Sequence, residues 1–181
     1  MSKKIERKIA SARKELKHIY RHEFKRYEAN KKRPSPIKKY RIELAKRAYE
    51  LVYYTDEAGL FKLFKKYCYL NLPDARRSEN ASPFNLAIRI LADHDGPKEF
   101  NFLKPSTLER WSKGLCYLYL NETLPEKVEA NLWERGVTKL SNAYLGKEHV
   151  TGSGIAKRKK KKGRADFELK RKKFLVKWRA A

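Results

Sequence analysis

Apolar residues recur at intervals of three and four through the first thirty positions: Ile5, Ile9, Ala12, Leu16, Ile19, Tyr20, Phe24 and Tyr27. At 100° per residue they fall in one stripe, which predicts a single long helix over residues 2 to about 31. Lys4, Lys8, Lys14, Lys17, Arg21, Lys25 and Arg26 lie mainly on the opposite side, so one face is apolar and the other basic. At ~1.5 Å per residue such a helix is about 45 Å long. Lys31, Lys32 and Arg33 run into Pro34-Ser35-Pro36, where the residues before proline disfavour the α region and the helix ends.

Helical spacing resumes with Ile37, Tyr40, Leu44, Ala48, Leu51 and Val52, to about residue 54. Thr55 then reads as the N-cap of a third helix carrying Leu60, Phe61, Leu63, Phe64, Tyr67 and Cys68, apolar on more than one side and so expected at the centre. A polar stretch from Leu72 to Asn80 precedes Ser82-Pro83, a cap residue followed by a proline suited to the first helical position, and a short helix over 83–92. Asp93-His94-Asp95-Gly96-Pro97 is a turn, and Glu99 to Leu103 reads as a short extended piece. Ser106 and Glu109 have capping-box spacing ahead of Leu108, Trp111, Leu115, Leu118 and Tyr119, a helix ending near Asn121. Pro125 opens another, with Val128, Leu132 and Trp133, which closes at Gly136; Thr138 caps a last one with Leu140, Tyr144 and Leu145.

The fold class expected is therefore all-α: a long basic amphipathic helix (1–33), a compact bundle of short helices (37–145), and a basic, partly disordered arm (146–181). In that arm Thr151-Gly152-Ser153-Gly154 reads as a flexible joint. Residues 165–179 regain a helical pattern, and Phe167, Phe174, Leu175 and Trp178 suit either docking on the bundle or folding on a partner.

Charge changes what this architecture means. The 181 residues hold 45 Lys and Arg against 21 Asp and Glu, a net charge of +24. Residues 1–41 carry +12 and 146–181 carry +11, leaving +1 for 42–145. Like charges gathered so densely repel one another, and an anionic partner relieves them. Nucleic acid, DNA or RNA, is the partner this points to. Lys157, Arg158, Lys159, Lys160, Lys161 and Lys162, with Arg164 and then Lys170, Arg171, Lys172 and Lys173, suit phosphate backbones, where cations release condensed counterions whatever the base sequence. An anionic membrane is the weaker reading, because the apolar stripe of the first helix is needed for the core. No run of about 18 apolar residues or secretory signal occurs, and Glu6, Glu15, Glu23 and Glu28 disfavour a transit peptide. The expected location is cytoplasmic, on the nucleoid in a bacterium, or nuclear in a eukaryote. Cys68 and Cys116 lie in apolar helical patterns and read as reduced core thiols.

Signals for specific recognition or catalysis are thin. Residues 125–145 resemble a helix-turn-helix in outline only, since Asn142 stands where an apolar residue is wanted and Lys139 is the second helix's one cation. Tyr53, Tyr54, Tyr67, Tyr69, Tyr117 and Tyr119 offer rings for base stacking, although most sit at core spacing. His18 and His22 have the spacing of a metal pair, but Ile19 replaces the glutamate of zinc peptidases and both fall on the basic side. Asp93-His94-Asp95 is the one acid and histidine cluster on which a nuclease would have to build. No catalytic residue, metal site or cofactor is assigned. The expectation is a non-enzymatic nucleic-acid-binding protein, an accessory subunit of a replication, partition, nucleoid or ribonucleoprotein machine that holds other protein subunits as well. A helical adaptor for an acidic protein is the alternative, with a metal-dependent nuclease behind it.

Overall fold

The computed structural model describes residues 3–29, 36–72, 81–92, 105–146 and 154–181. They form helices α1 (Lys3–Ala29), α2 (Pro36–Glu57), α3 (Phe61–Asn71), α4 (Pro83–Ala92), α5 (Pro105–Leu120), α6 (Pro125–Tyr144) and α7 (Gly154–Ala180), with no strand among the described residues. The fold is all-α, as the periodicity predicts. Four of these helices open on proline, whose missing N–H costs nothing at the first helical position and whose fixed φ already suits the helix.

Ser82 caps α4 as expected, its Oγ accepting the Asn85 N–H at 3.2 Å. The capping box expected at Ser106 does not form. Pro105 moves the start of α5 two residues earlier, so Ser106 is inside the first turn and Glu109 pairs with Lys113 instead. Thr55 is not a cap either: α2 runs on to Glu57, and the buried Thr55 hydroxyl donates back to the Leu51 carbonyl within it. The segments 73–80 and 93–104, with the expected turn and extended piece, lie outside the described residues.

The centre belongs to α2 and α4, not to the third helix. α2 packs against α1, α3, α4, α5 and α6, burying Tyr40, Leu44, Ala48, Tyr49 and Val52. Nearly every side chain of α4 is apolar and buried, from Phe84 to Leu91. α3 turns Phe61, Phe64 and Cys68 inward but leaves Leu70 exposed, so its apolar excess covers the bundle from outside. Gly136 breaks α6 with φ 71° and ψ 147°, a conformation open mainly to glycine, and helix resumes at once with Val137. Both parts of α6 lie along α5, where Gly114 admits Val137 so closely that an added Cβ would meet its Cγ2 at 3.2 Å.

α7 is longer than the spacing predicts. It begins at Gly154 instead of 165, taking in the lysine run, since Lys and Arg are good helix formers. It docks on the bundle: Phe174 and Trp178 are buried, with Trp178 5.2 Å from the Phe61 ring and Phe174 4.9 Å from that of Tyr119. Trp178 Nε1 donates to the Ala81 carbonyl at 2.9 Å, and Lys65 Nζ donates to the terminal carbonyls of Trp178 and Arg179 at 3.2 and 3.0 Å. Cys68 and Cys116 are free and buried, and burial pushes both thiols up to about 12.

Trp178→Ala should lower the unfolding free energy by about 3–5 kcal/mol, the usual range for emptying a buried Trp site, read from denaturant midpoints. The chain should also weaken in alkali. Burial raises the phenol pKa of Tyr40 to about 12 and pushes those of Tyr49, Tyr119 and Tyr144 higher still. Unfolded phenols ionise near pH 10, so unfolding releases protons above that value. Stability is then full below pH 10 and falls as pH rises through about 12; melting followed by tyrosinate absorbance should show these phenols ionising only as the chain unfolds.

Candidate nucleic-acid interface

The rotation of α1 about its axis is fixed by what it buries. Ile5, Ile9 and Leu16 are fully inside, and the half-buried Arg13 donates from Nε to the Ile90 carbonyl at 2.9 Å, closing the C-terminal end of α4. Lys3, Lys4, Arg7, Lys8, Lys14, Lys17, Arg21, Lys25 and Arg26 are all exposed. At 100° per residue they cover about half the circumference of a helix ~40 Å long. Among the described side chains of α1 the one exposed acid is Glu15, and Arg47 holds it at 2.7 Å. Lys4, Lys14, Lys17, Arg21 and Lys25 make no ion pair among the described residues, and Lys8 lies 4.5 Å from the centroid of the Tyr54 ring. His18 and His22 are exposed on the same face with rings 6.5 Å apart.

α7 divides its cations differently. Its backbone carries Lys157, Arg158, Lys159, Lys160, Lys161 and Lys162 in helix; their side chains, and Lys31, Lys32 and Arg33 altogether, lie outside the described residues. Beyond them the Arg164 guanidinium packs over Gly146, where a Cβ would meet Cζ at 2.8 Å. Lys170 Nζ meets Glu122 at 2.6 Å. Arg171 is half-buried, paired with Glu168 at 2.8 Å and 5.3 Å from the centre of the Tyr144 ring. These three have partners within the chain. Lys172 and Lys173 are exposed.

Asp56, which no sequence motif distinguishes, joins three helices. At the C-terminal end of α2 it accepts a hydrogen bond from the Tyr119 hydroxyl of α5 and lies 2.5 Å from Lys177 Nζ of α7, with its side chain 10% exposed. Burial, and then this bond, holds the Tyr119 phenol far above its ordinary value. Arg47 is a second such junction, with Glu15 of α1, Glu43 at 3.0 Å and Glu50 at 3.1 Å. Spacing along one helix suggests the last two pairs, but only folding brings Glu15 to Arg47.

The remaining candidates separate by exposure. Of the six tyrosines considered for stacking, Tyr53, Tyr67, Tyr69, Tyr117 and Tyr119 are half-buried against the core, and Tyr54 is 47% exposed. Asn142 and Lys139 are exposed on the second part of α6. Asp93, His94 and Asp95 lie outside the described residues, among which no three acid, histidine or cysteine side chains gather as metal ligands. No described helix is long and apolar enough to cross a membrane. No family model, curated protein or solved structure matches this chain.

Asp56→Ala leaves the Tyr119 hydroxyl without its acceptor and Lys177 without its carboxylate. A loss of roughly 2 kcal/mol in unfolding free energy is expected, the cost of stranding a largely buried polar group. Equal urea midpoints for the variant and the parent would show that the junction is solvated.

Proposed function

We propose that this chain is a non-enzymatic nucleic-acid-binding protein that grips the phosphate backbone, acting as an accessory subunit of a larger nucleic-acid machine. The observation that carries the reading is the exposed face of α1, whose cations stand in line along a rigid rod on which Glu15, itself paired, is the one exposed acid among the described side chains. A solvated face on an ordinary amphipathic helix mixes signs; this one holds its repulsion in readiness for an anion. Successive cations such as Lys17, Arg21 and Lys25 lie about 6 Å apart along the axis, within the screening length of ~8 Å at physiological salt, so each raises the potential that its neighbours present to a polyanion. The lysine run in α7 adds a second cationic segment on a helix anchored by Phe174 and Trp178. Backbone contacts of this kind supply affinity and leave base sequence largely unread.

The reading is tested by measuring affinity for matched single- and double-stranded DNA and RNA over a range of salt. Replacing Lys14, Lys17 and Arg21 together by Gln keeps helix propensity and removes three cations. Binding should weaken on unrelated sequences alike, and the slope of log K against log salt on duplex DNA should fall by roughly 2.7, at ~0.9 for each phosphate no longer neutralised. Replacing Lys157 to Lys162 by Ala should act in the same direction. An unchanged slope in both variants would refute the reading. Weak binding to all four ligands would favour the adaptor instead, for which the exposed Leu169 and Val176, on one side of α7, offer a contact.

A further inference from the structure

We propose that the cleft between α1 and α2 takes one unpaired nucleobase, stacked on Tyr54, so that the chain prefers single-stranded nucleic acid to duplex; this rests on the phosphate-binding reading of α1. The exposed ring of Tyr54 stands in an edge-to-face contact with Tyr53, 5.6 Å away at 88°, which ties the platform to the ring cluster beneath. Lys8 at 4.5 Å from its centroid places the ring at the edge of the basic face and shows that a π surface is accessible to a charged group. Ring and lysine border a cleft of about 160 Å³, lined also by Ser11, Glu15, Arg47 and Glu50. A cleft of this volume, open to solvent on one side, has room for several waters and for one flat ring system.

The chemistry of the walls agrees with that occupant. The Ser11 hydroxyl, the Glu15 and Glu50 carboxylates and the Arg47 guanidinium offer donors and acceptors to a base edge, and a carboxylate accepts well from an exocyclic amine. Arg47 pairs with both carboxylates, which limits their repulsion of an approaching phosphodiester. When a base enters, Lys8 exchanges the ring for the adjoining phosphate, and Lys4, one turn earlier on α1 and exposed, takes the next. A base inside a duplex is stacked on both faces and paired along its edge, so it cannot reach the cleft.

The test uses the full chain and labelled oligonucleotides: a DNA single strand, its duplex, and the matching RNA strand, followed by anisotropy. The parent should bind the single strands more tightly. Tyr54→Ala should weaken single-strand binding about tenfold, in the range of one missing base stack, and leave duplex affinity unchanged, while Tyr54→Phe keeps the parent affinity. Weakening on both DNA and RNA strands assigns the site to the base alone; weakening on one assigns it to a base with that sugar. No weakening on single strands, or an equal weakening on duplex, overturns the stacking site. The Lys14, Lys17 and Arg21 variant, measured in parallel, should lose affinity for strands and duplex alike. If it loses on neither while Tyr54→Ala still discriminates, the phosphate reading fails and the stacking site stands. A parent that binds none of the three overturns both.

Discussion

Self-repulsion among cations is the constraint this chain has to meet. Exposed charges one helical turn apart, about 6 Å along the axis, lie inside the ~8 Å over which salt screens them, so α1 and α7 each work against their own retention on the body. Apolar burial offsets that cost. For α1 the anchors are Ile5, Ile9 and Leu16; for α7 they are Phe174 and Trp178. At ~1.5–3 kcal/mol per large buried side chain, a few such residues outweigh surface charge pairs that are worth roughly 0–1 kcal/mol each. The same burial sets the rotation of α1, so what keeps the helix in place also decides which side chains it displays.

The body accommodates α7 through a continuous layer of rings. Tyr49 of α2 lies 5.8 Å from Phe84 of α4 and 6.1 Å from Tyr119 of α5. Phe174 of α7 lies 6.2 Å from Phe84 and 6.1 Å from Phe61 of α3, which meets Trp178. Five helices therefore share one aromatic contact surface, and this explains why so many tyrosines are present without being offered to a ligand. Their hydroxyls are satisfied where they emerge: Tyr49 donates to the Thr123 carbonyl and Tyr119 to Asp56. Tyr54 sits at the end of this layer, supported by Tyr53 and open to solvent.

Under the proposed function, rigidity matters as much as charge. A polybasic tail loses conformational entropy on binding, whereas cations on a helix already docked by Trp178 and capped by Lys65 have most of that cost met in folding. Glu122 and Asp56, on the bundle, pair with Lys170 and Lys177, Arg171 pairs with Glu168 on α7 itself, and Lys172 and Lys173 remain exposed. A single helix thus uses some of its basic residues to stay attached and others to face outward.

Helix existence and the two-sided character of α1 were legible from residue order, because a 3.6-residue period is a property of neighbours along the chain. Prolines at 83 and 125 marked starts, Ser82 marked a cap and Gly136 a break, for the same local reason. Errors arose where two local signals competed: Pro105 displaced the cap at Ser106, and Thr55 bonded back into α2 instead of opening α3. Apolar content alone marks α4 as central but misplaces the other two, since α3 uses its extra apolar residues to cover others while the more polar α2 is surrounded. Nor could order along the chain show that Asp56 joins Tyr119 and Lys177, that Arg47 reaches Glu15, or that Tyr54 alone of six tyrosines is exposed. Those facts depend on contacts between residues tens of positions apart, which periodicity does not encode and packing alone creates.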